Sequence, residues 1–196
     1  RERNEDFAAA QVPMPHEEAL GLIAALADGV STGGGGAMAA QTTVMSLVQD
    51  YFCAPPTWHT TVVFDRVIGA QNAWLANHNR RQREGAAMTT LTALALRGQS
   101  WTLAHVGDSR AYHLRGETLR RLPRDQTVGE ALVQYGMPKA QAEQAGLYNV
   151  LASAIGARDM TPAVNFISLE RGDVLLLCTD GLTKHVSDAQ IGDVLV

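Results

Sequence analysis

The 196-residue chain has only two cysteines, Cys53 and Cys178, and their separation suits neither a metal knuckle nor a disulfide framework. Cys178 lies inside an apolar run, where a thiol behaves as a small buried hydrophobe, so a reducing, cytoplasmic setting is expected. No apolar run approaches the ~18 residues that a membrane span needs, and the first residues show no signal-peptide pattern. Six histidines include no His-x-His or His-Glu-x-x-His spacing, which argues against zinc. Positive charge is also scarce: 16 Lys and Arg against 20 Asp and Glu give a net charge of −4, the wrong sign for a nucleic-acid footprint. The one basic cluster, Arg80, Arg81 and Arg83, falls at the end of a predicted helix and complements its dipole.

What is present is 46% apolar and 18% charged, the composition of a folded domain rather than a disordered chain. The length predicts one domain spanning residues 1–196. Arg1 opens a stretch already dense in charge, and residues 190–196 run on as a helix. The expectation from both ends is a piece of a longer chain, a domain truncated at both ends with its C-terminal part absent.

Two stretches share a design. Residues 22–27 form a short apolar run that stops at Asp28-Gly29, ahead of the glycines at 33–36. Residues 174–179 form another, stopping at Asp180-Gly181. Both predict buried strands that carry an aspartate to their ends. Between them, residues 37–52 place Met38, Met45, Val48 and Phe52 near helical spacing, and Pro55-Pro56 ends that helix. A second helix is predicted over 60–83, with Val63, Val67, Ala70 and Trp74 on its core stripe. The periodicity then changes: 88–96, 101–106, 111–115 and 118–122, turned at Arg97-Gly98 and Arg115-Gly116-Glu117, predict an antiparallel meander. Two short helices (128–135, 138–145) precede a predicted strand pair, 163–169 with 174–179, turned at 170–173. Ser187 and Gln190 make a capping box for a last helix. Antiparallel strands with segregated helices make this an α+β fold, not a doubly wound parallel one.

Acidic residues stand at strand ends or turns in four places: Glu5-Asp6, Asp28, Asp108 and Asp180. The last three each neighbour a glycine, which lets backbone approach a ligand closely. Any one of them alone reads as a solvated turn or a helix cap, and Asp108 has a specific rival role in a hairpin turn. Their number favours a common centre. Carboxylates gathered together repel and need a cation, and oxygen ligands select hard ions such as Mg²⁺ or Mn²⁺. The glycine run could form a phosphate nest, but it lacks the Gly-Lys-Ser/Thr ending of a nucleotide-binding loop.

In sequence order the chain carries Arg1-x-x-Asn4-Glu5-Asp6, Ala27-Asp28-Gly29, Met88-Thr89-Thr90-Leu91 and His105-Val106-Gly107-Asp108-Ser109-Arg110-Ala111-Tyr112. Leu122-x-x-Asp125, Leu151-x-x-Ala154-Ile155-Gly156 and Cys178-Thr179-Asp180-Gly181-Leu182 follow. This series resembles the metal-dependent Ser/Thr protein phosphatases (PPM, or type 2C), especially their bacterial branch, over nearly the whole chain. The resemblance implies an α-β-β-α sandwich, two packed antiparallel sheets flanked by helices, with two Mn²⁺ or Mg²⁺ ions at one end. It implies that Asp28 bridges both ions, that the Gly29 carbonyl, Glu5, Asp6 and Asp180 are further ligands, and that Asp108 serves a weaker third site. Arg1 stands where the family binds phosphate, and residues 125–148 correspond to a mobile flap. The implied reaction is hydrolysis of phosphoserine and phosphothreonine in protein substrates, opposite a Ser/Thr kinase, by in-line attack of a water that two ions ~4 Å apart make nucleophilic.

Departures from the family pattern are Val30-Ser31-Thr32 ahead of the glycines, Met88 for a glycine, Gln126 for a histidine and Ser153 for an arginine. Val30 also stands where some relatives carry a histidine, so water is the expected general acid. The family's closing Asp-Asn motif does not occur before Val196. These departures support an alternative: a catalytically impaired phosphatase-like domain that binds phosphoproteins or regulates.

Overall fold

Strand β1 (Asp6–Gln11) pairs antiparallel with β2 (Leu22–Ser31), and the fold builds outward from that pair. The computed structural model describes residues 4–31, 34–82 and 85–196. One sheet runs β1-β2-β4-β5-β8, with β4 at Leu91–Arg97, β5 at Ser100–Val106 and β8 at Ala163–Ser168. Short β3 (Ala87–Thr89) continues along β2. The other sheet runs β7-β6-β9: Thr118–Arg121, Arg110–Arg115 and Val174–Cys178.

The two-residue period of each strand sorts side chains into three apolar layers. Ile23, Ala25 and Ala27 of β2, Leu91, Ala93 and Ala95 of β4, and Ala104 and Val106 of β5 pack against helices α1 (Gly36–Phe52) and α2 (Thr60–Arg81). Alanines on this face, with Ala39 and Ala40 of α1 opposing them, keep helix and sheet close. The alternate residues Leu94 and Leu103 turn to the second sheet and meet Ala111, Leu175 and Leu177. On the far side, Tyr112 and Cys178 pack on Ile191 of α6 (Asp188–Leu195). Burial pushes the Cys178 thiol up, leaving it a neutral core group. The result is the expected α+β architecture, in the layer order helix, sheet, sheet, helix. The Ser187 capping box forms as expected, with both reciprocal bonds present.

Several expectations are corrected. Strand β2 does not stop at Asp28: it leaves β4 after Leu26 and continues against β3, Gly29 opposite Thr89 and Val30 opposite Met88. The strand expected over 88–96 is split at Thr90, whose backbone N–H and hydroxyl both turn to Asp28. Nor do the later strands form one meander. Between β5 and β6 the chain crosses from the first sheet to the second, with Gly107 at φ +105 making the turn. The pair 163–169 and 174–179 is likewise divided, β8 joining β5 and β9 joining β6. Arg115 clamps the crossing from β8 to β9, forking onto Asp173 at 2.9 and 2.7 Å and reaching the Ser168 carbonyl at 2.8 Å.

On α2 the buried stripe is Val63, Phe64, Ile68 and Leu75, whereas Ala70 is exposed and Trp74 stacks on His78 at the surface. Strand β1 was not anticipated, because Phe7-Ala-Ala-Ala has low strand propensity; its pairing with β2 overrides that. Two further helices, α3 (Val128–Gln134) and α4 (Lys139–Gln144), lie between β7 and β8 in the chain.

The first turn of α1 presses on β2 at Gly29. A Cβ there would stand 2.3 Å from the carbonyl carbon and oxygen of Gly36 and 2.9 Å from the Glu5 carbonyl oxygen. Gly29→Ala is therefore expected to lower the unfolding free energy in urea by about 2 kcal/mol or more, as overpacking does. A change below about 0.5 kcal/mol would contradict this close approach.

Candidate metal centre

Asp6 and Asp28 are register partners in the β1–β2 ladder, so their side chains leave the same face of the sheet. The alternation along β2 gives Asp28 the face of Leu26, turned toward the second sheet, and leaves it only 4% exposed. Like charges placed directly opposite each other on a sheet are destabilising, so this register has a cost that a bound cation would remove.

The main chain around Asp28 is tied down. Its N–H donates to Thr90 Oγ1 at 2.9 Å, and its carbonyl accepts from the Thr90 N–H at 2.9 Å and the Thr89 hydroxyl at 3.0 Å. The Thr90 hydroxyl also bonds Ser109 Oγ at 2.8 Å, beside Asp108. Glu5 is held on the other flank, its carbonyl accepting from the Gly29 N–H at 3.1 Å. The Glu5 carboxylate lies against Gly36 in the first turn of α1, the end of a helix that favours negative charge.

Asp108 and Asp180 arrive from the crossings and ends of the second sheet. Asp108 follows β5; a Cβ on the preceding Gly107 would fall 2.6 Å from Thr90 Cγ2, so only glycine fits the turn. Asp180 does not end a strand, as expected, but opens a short helix, α5 (Asp180–Thr183), and Lys184 Nζ pairs with its carboxylate. The neighbouring Thr179 hydroxyl donates to Asp6 Oδ2 at 3.1 Å, joining the two sheets at their acidic end. Burial pushes Asp108 up to about 6, with the charges of Asp180 and then Asp125 adding to the effect.

The structure thus brings Asp6 opposite Asp28, Glu5 beside Gly29, and Asp108 near Asp180, all at one end of the sandwich. Among the described residues, no three His, Cys, Asp or Glu side chains converge as a finished cage. The donors that do assemble are oxygens, several of them like-charged neighbours, which is the set that fits a hard divalent cation. Arg1 lies outside the described residues.

A cleft of about 520 Å³ opens at this end, lined by Asp108, Asp180 and Lys184 on one side and by Glu130, Lys139 and Tyr148 of the expected flap on the other. Sequence reasoning missed what anchors that flap. Asp125 accepts from Arg110 Nε and Nη2 at 3.2 and 2.8 Å and pairs with Arg121 Nη2 at 2.9 Å. Burial opposes the Arg110 charge, but its bonds to Asp125 and Tyr112 outweigh that and hold its pKa high. The Leu122-x-x-Asp125 motif was the available signal, with no indication of the partners.

The departures noted in the sequence also have structural partners. Gln126 Oε1 accepts from the Gly107 N–H at 3.0 Å and its amide donates to the Thr161 carbonyl at 3.1 Å. Ser153 Oγ accepts from the Thr161 N–H at 3.1 Å. Fully buried His105 donates from Nε2 to the Gly107 carbonyl at 2.9 Å, and its Nδ1 shares a hydrogen bond of 3.0 Å with the Thr92 hydroxyl, a pair of partners that the neutral ring can satisfy. Burial lowers it to about 4, consistent with that form. Of the four glycines, Gly35 caps α1 and Gly36 begins it, which gives them structural work without a nucleotide.

Residues 2–194 match the protein phosphatase 2C family. The chain belongs to that family. Solved structures of relatives share its sandwich fold. The Serine/threonine protein phosphatase PstP of Mycobacterium tuberculosis is 30% identical over 175 residues, 88% of this chain and 34% of PstP. Protein phosphatase PhpP of Streptococcus pneumoniae is 36% identical over 109 residues, 55% of this chain and 44% of PhpP. The chain therefore spans less than half the length of these curated relatives. Among solved structures, the S. agalactiae serine/threonine phosphatase aligns with a TM-score of 0.88 at 27% identity, covering 100% of this chain and 81% of that one. The catalytic domain of PstP in complex with 2 manganese ions aligns at 0.80 with 29% identity, covering 98% and 78%.

The raised pKa of Asp108 has a stability consequence in metal-free protein. Between its ordinary value of 3.8 and about 6, the folded protein keeps a proton that the unfolded chain has released. Stability therefore falls as pH rises through that window and stays lower above it. Asp108→Asn is expected to flatten this slope and to stabilise the metal-free protein at neutral pH by on the order of 2 kcal/mol. Urea melts in a chelator between pH 4 and 7 provide the check; identical slopes in both proteins would contradict it.

Proposed function

We propose that this chain forms the core of a metal-dependent protein serine/threonine phosphatase. The observation that carries the reading is the register that sets exposed Asp6 directly opposite buried Asp28 on one face of the sheet. Family membership and the cleft that adjoins Asp108 and Asp180 support it.

Asp28, with Asp6, Glu5 and the Gly29 carbonyl, is assigned to hold two Mn²⁺ or Mg²⁺ ions; Asp180 completes the set from the second sheet, and Asp108 serves a further, weaker site. When bound, such ions supply an activated water near neutral pH and neutralise charge on the phosphoryl oxygens. The chain itself supplies alignment. Thr89, Thr90 and Ser109 fix the backbone on which Asp28 and Asp108 stand, so the carboxylates need little reorganisation when charge develops. The Arg110–Asp125 fork fixes the base of the flap over the cleft. Arg1 is assigned to grip the phosphate through its guanidinium.

The substrates are taken to be phosphoserine and phosphothreonine proteins inside the cell, modified by a Ser/Thr kinase. Among the described residues no helix is long and apolar enough to cross a membrane.

Hydrolysis of p-nitrophenyl phosphate by the full-length protein is expected to require Mn²⁺ or Mg²⁺. Asp28→Ala is expected to reduce it at least about 100-fold, as loss of a central charge-stabilising group does. Turnover that survives chelation, or that persists in the variant, would contradict the assignment.

A further inference from the structure

We propose that Lys184 is a built-in counter-cation that competes with a divalent ion for Asp180 and so sets how tightly the centre holds metal. The inference rests on the metal reading above and concerns a residue that reading leaves without a role.

Lys184 lies one helical turn after Asp180, and its N–H donates to the Asp180 carbonyl at 2.9 Å, which fixes the turn. That geometry delivers Nζ onto Asp180 Oδ2. The Asp180 side chain is 20% exposed and that of Lys184 53%, so the ammonium approaches from solvent and caps a carboxylate that is largely withdrawn from it. Both residues line the cleft that also contains Asp108, and the Lys184 charge reaches Asp108 as well.

Two consequences follow from elementary electrostatics. The Oδ2 oxygen cannot serve the ammonium and an incoming cation at full strength together. A fixed positive charge beside the site also repels a second one. In the absence of metal the same ammonium offsets repulsion between Asp108 and Asp180. Because the ammonium is solvated, the ion pair is weak, so it yields to a divalent ion but reduces the net gain from binding. Lys184 then sets the affinity: the centre half-fills at a higher metal concentration than it would without the ammonium.

Calorimetric titration of the full-length protein with Mn²⁺ tests this directly, comparing wild type with Lys184→Gln and Lys184→Arg. Lys184→Gln is expected to bind Mn²⁺ about fivefold more tightly at low salt, with Lys184→Arg within about twofold of wild type. The gap is expected to close near 1 M salt, where screening is strong. Equal or weaker affinity in Lys184→Gln, with wild type binding Mn²⁺, would overturn the role of Lys184 and leave the metal centre standing. No Mn²⁺ binding in any of the three would overturn the metal reading and this inference with it.

Discussion

Repulsion between carboxylates is the constraint around which this molecule is arranged. The β1–β2 register sets Asp6 against Asp28, and the turn after β5 and the start of α5 add Asp108 and Asp180. Folding must hold these charges near one another, and it does so with neutral hydrogen bonds as well as ion pairs. Thr89, Thr90, Thr179 and Ser109 bond to the backbone or side chains at the acidic end. Their hydroxyls fix the main chain at Asp28 and, through Thr179, the Asp6 carboxylate.

Two of the three crossings between sheets give the site its shape. Each sheet alone presents part of the acidic set, and the chain must change sheets to combine them. It does so at Gly107, where a positive φ and the absence of a Cβ let the turn pass Thr90, and again between β8 and β9, where Arg115 holds Asp173. The first crossing carries Asp108 itself. The second returns the chain to the far sheet so that β9 ends beside Asp6, with Thr179 bridging the gap. Arg110 and Asp125 then tie the flap to the same end, so cleft and acidic cluster share one support.

Much of this was legible in the sequence. Helical and strand periods located α1, α2, β5, β6, β9 and the capped last helix to within a few residues. Asp28, Asp108 and Asp180 were visible because each follows an apolar segment and neighbours a glycine. Pairing was less visible, because a two-residue period fixes which way side chains point but not which strand lies alongside. Hence Gly107-Asp108-Ser109 and residues 170–173, both resembling hairpin turns, proved to be crossings. The Asp28 strand ran further than expected because Gly29 and Val30 find a partner in β3, a contact 58 to 60 positions away in sequence that no local signal announces. The same holds for Arg110 with Asp125 and for His105 with Gly107 and Thr92, whose roles depend on tertiary contacts.

The central claim is that Asp28 stands at the middle of a divalent-cation centre built from both sheets. The most direct measurement is anomalous scattering from crystals of the full-length protein soaked in Mn²⁺. Peaks are expected adjoining Asp28, between the β1–β2 pair and Asp180. Manganese found only at surface carboxylates away from Asp28, or none in well-soaked crystals, would contradict it.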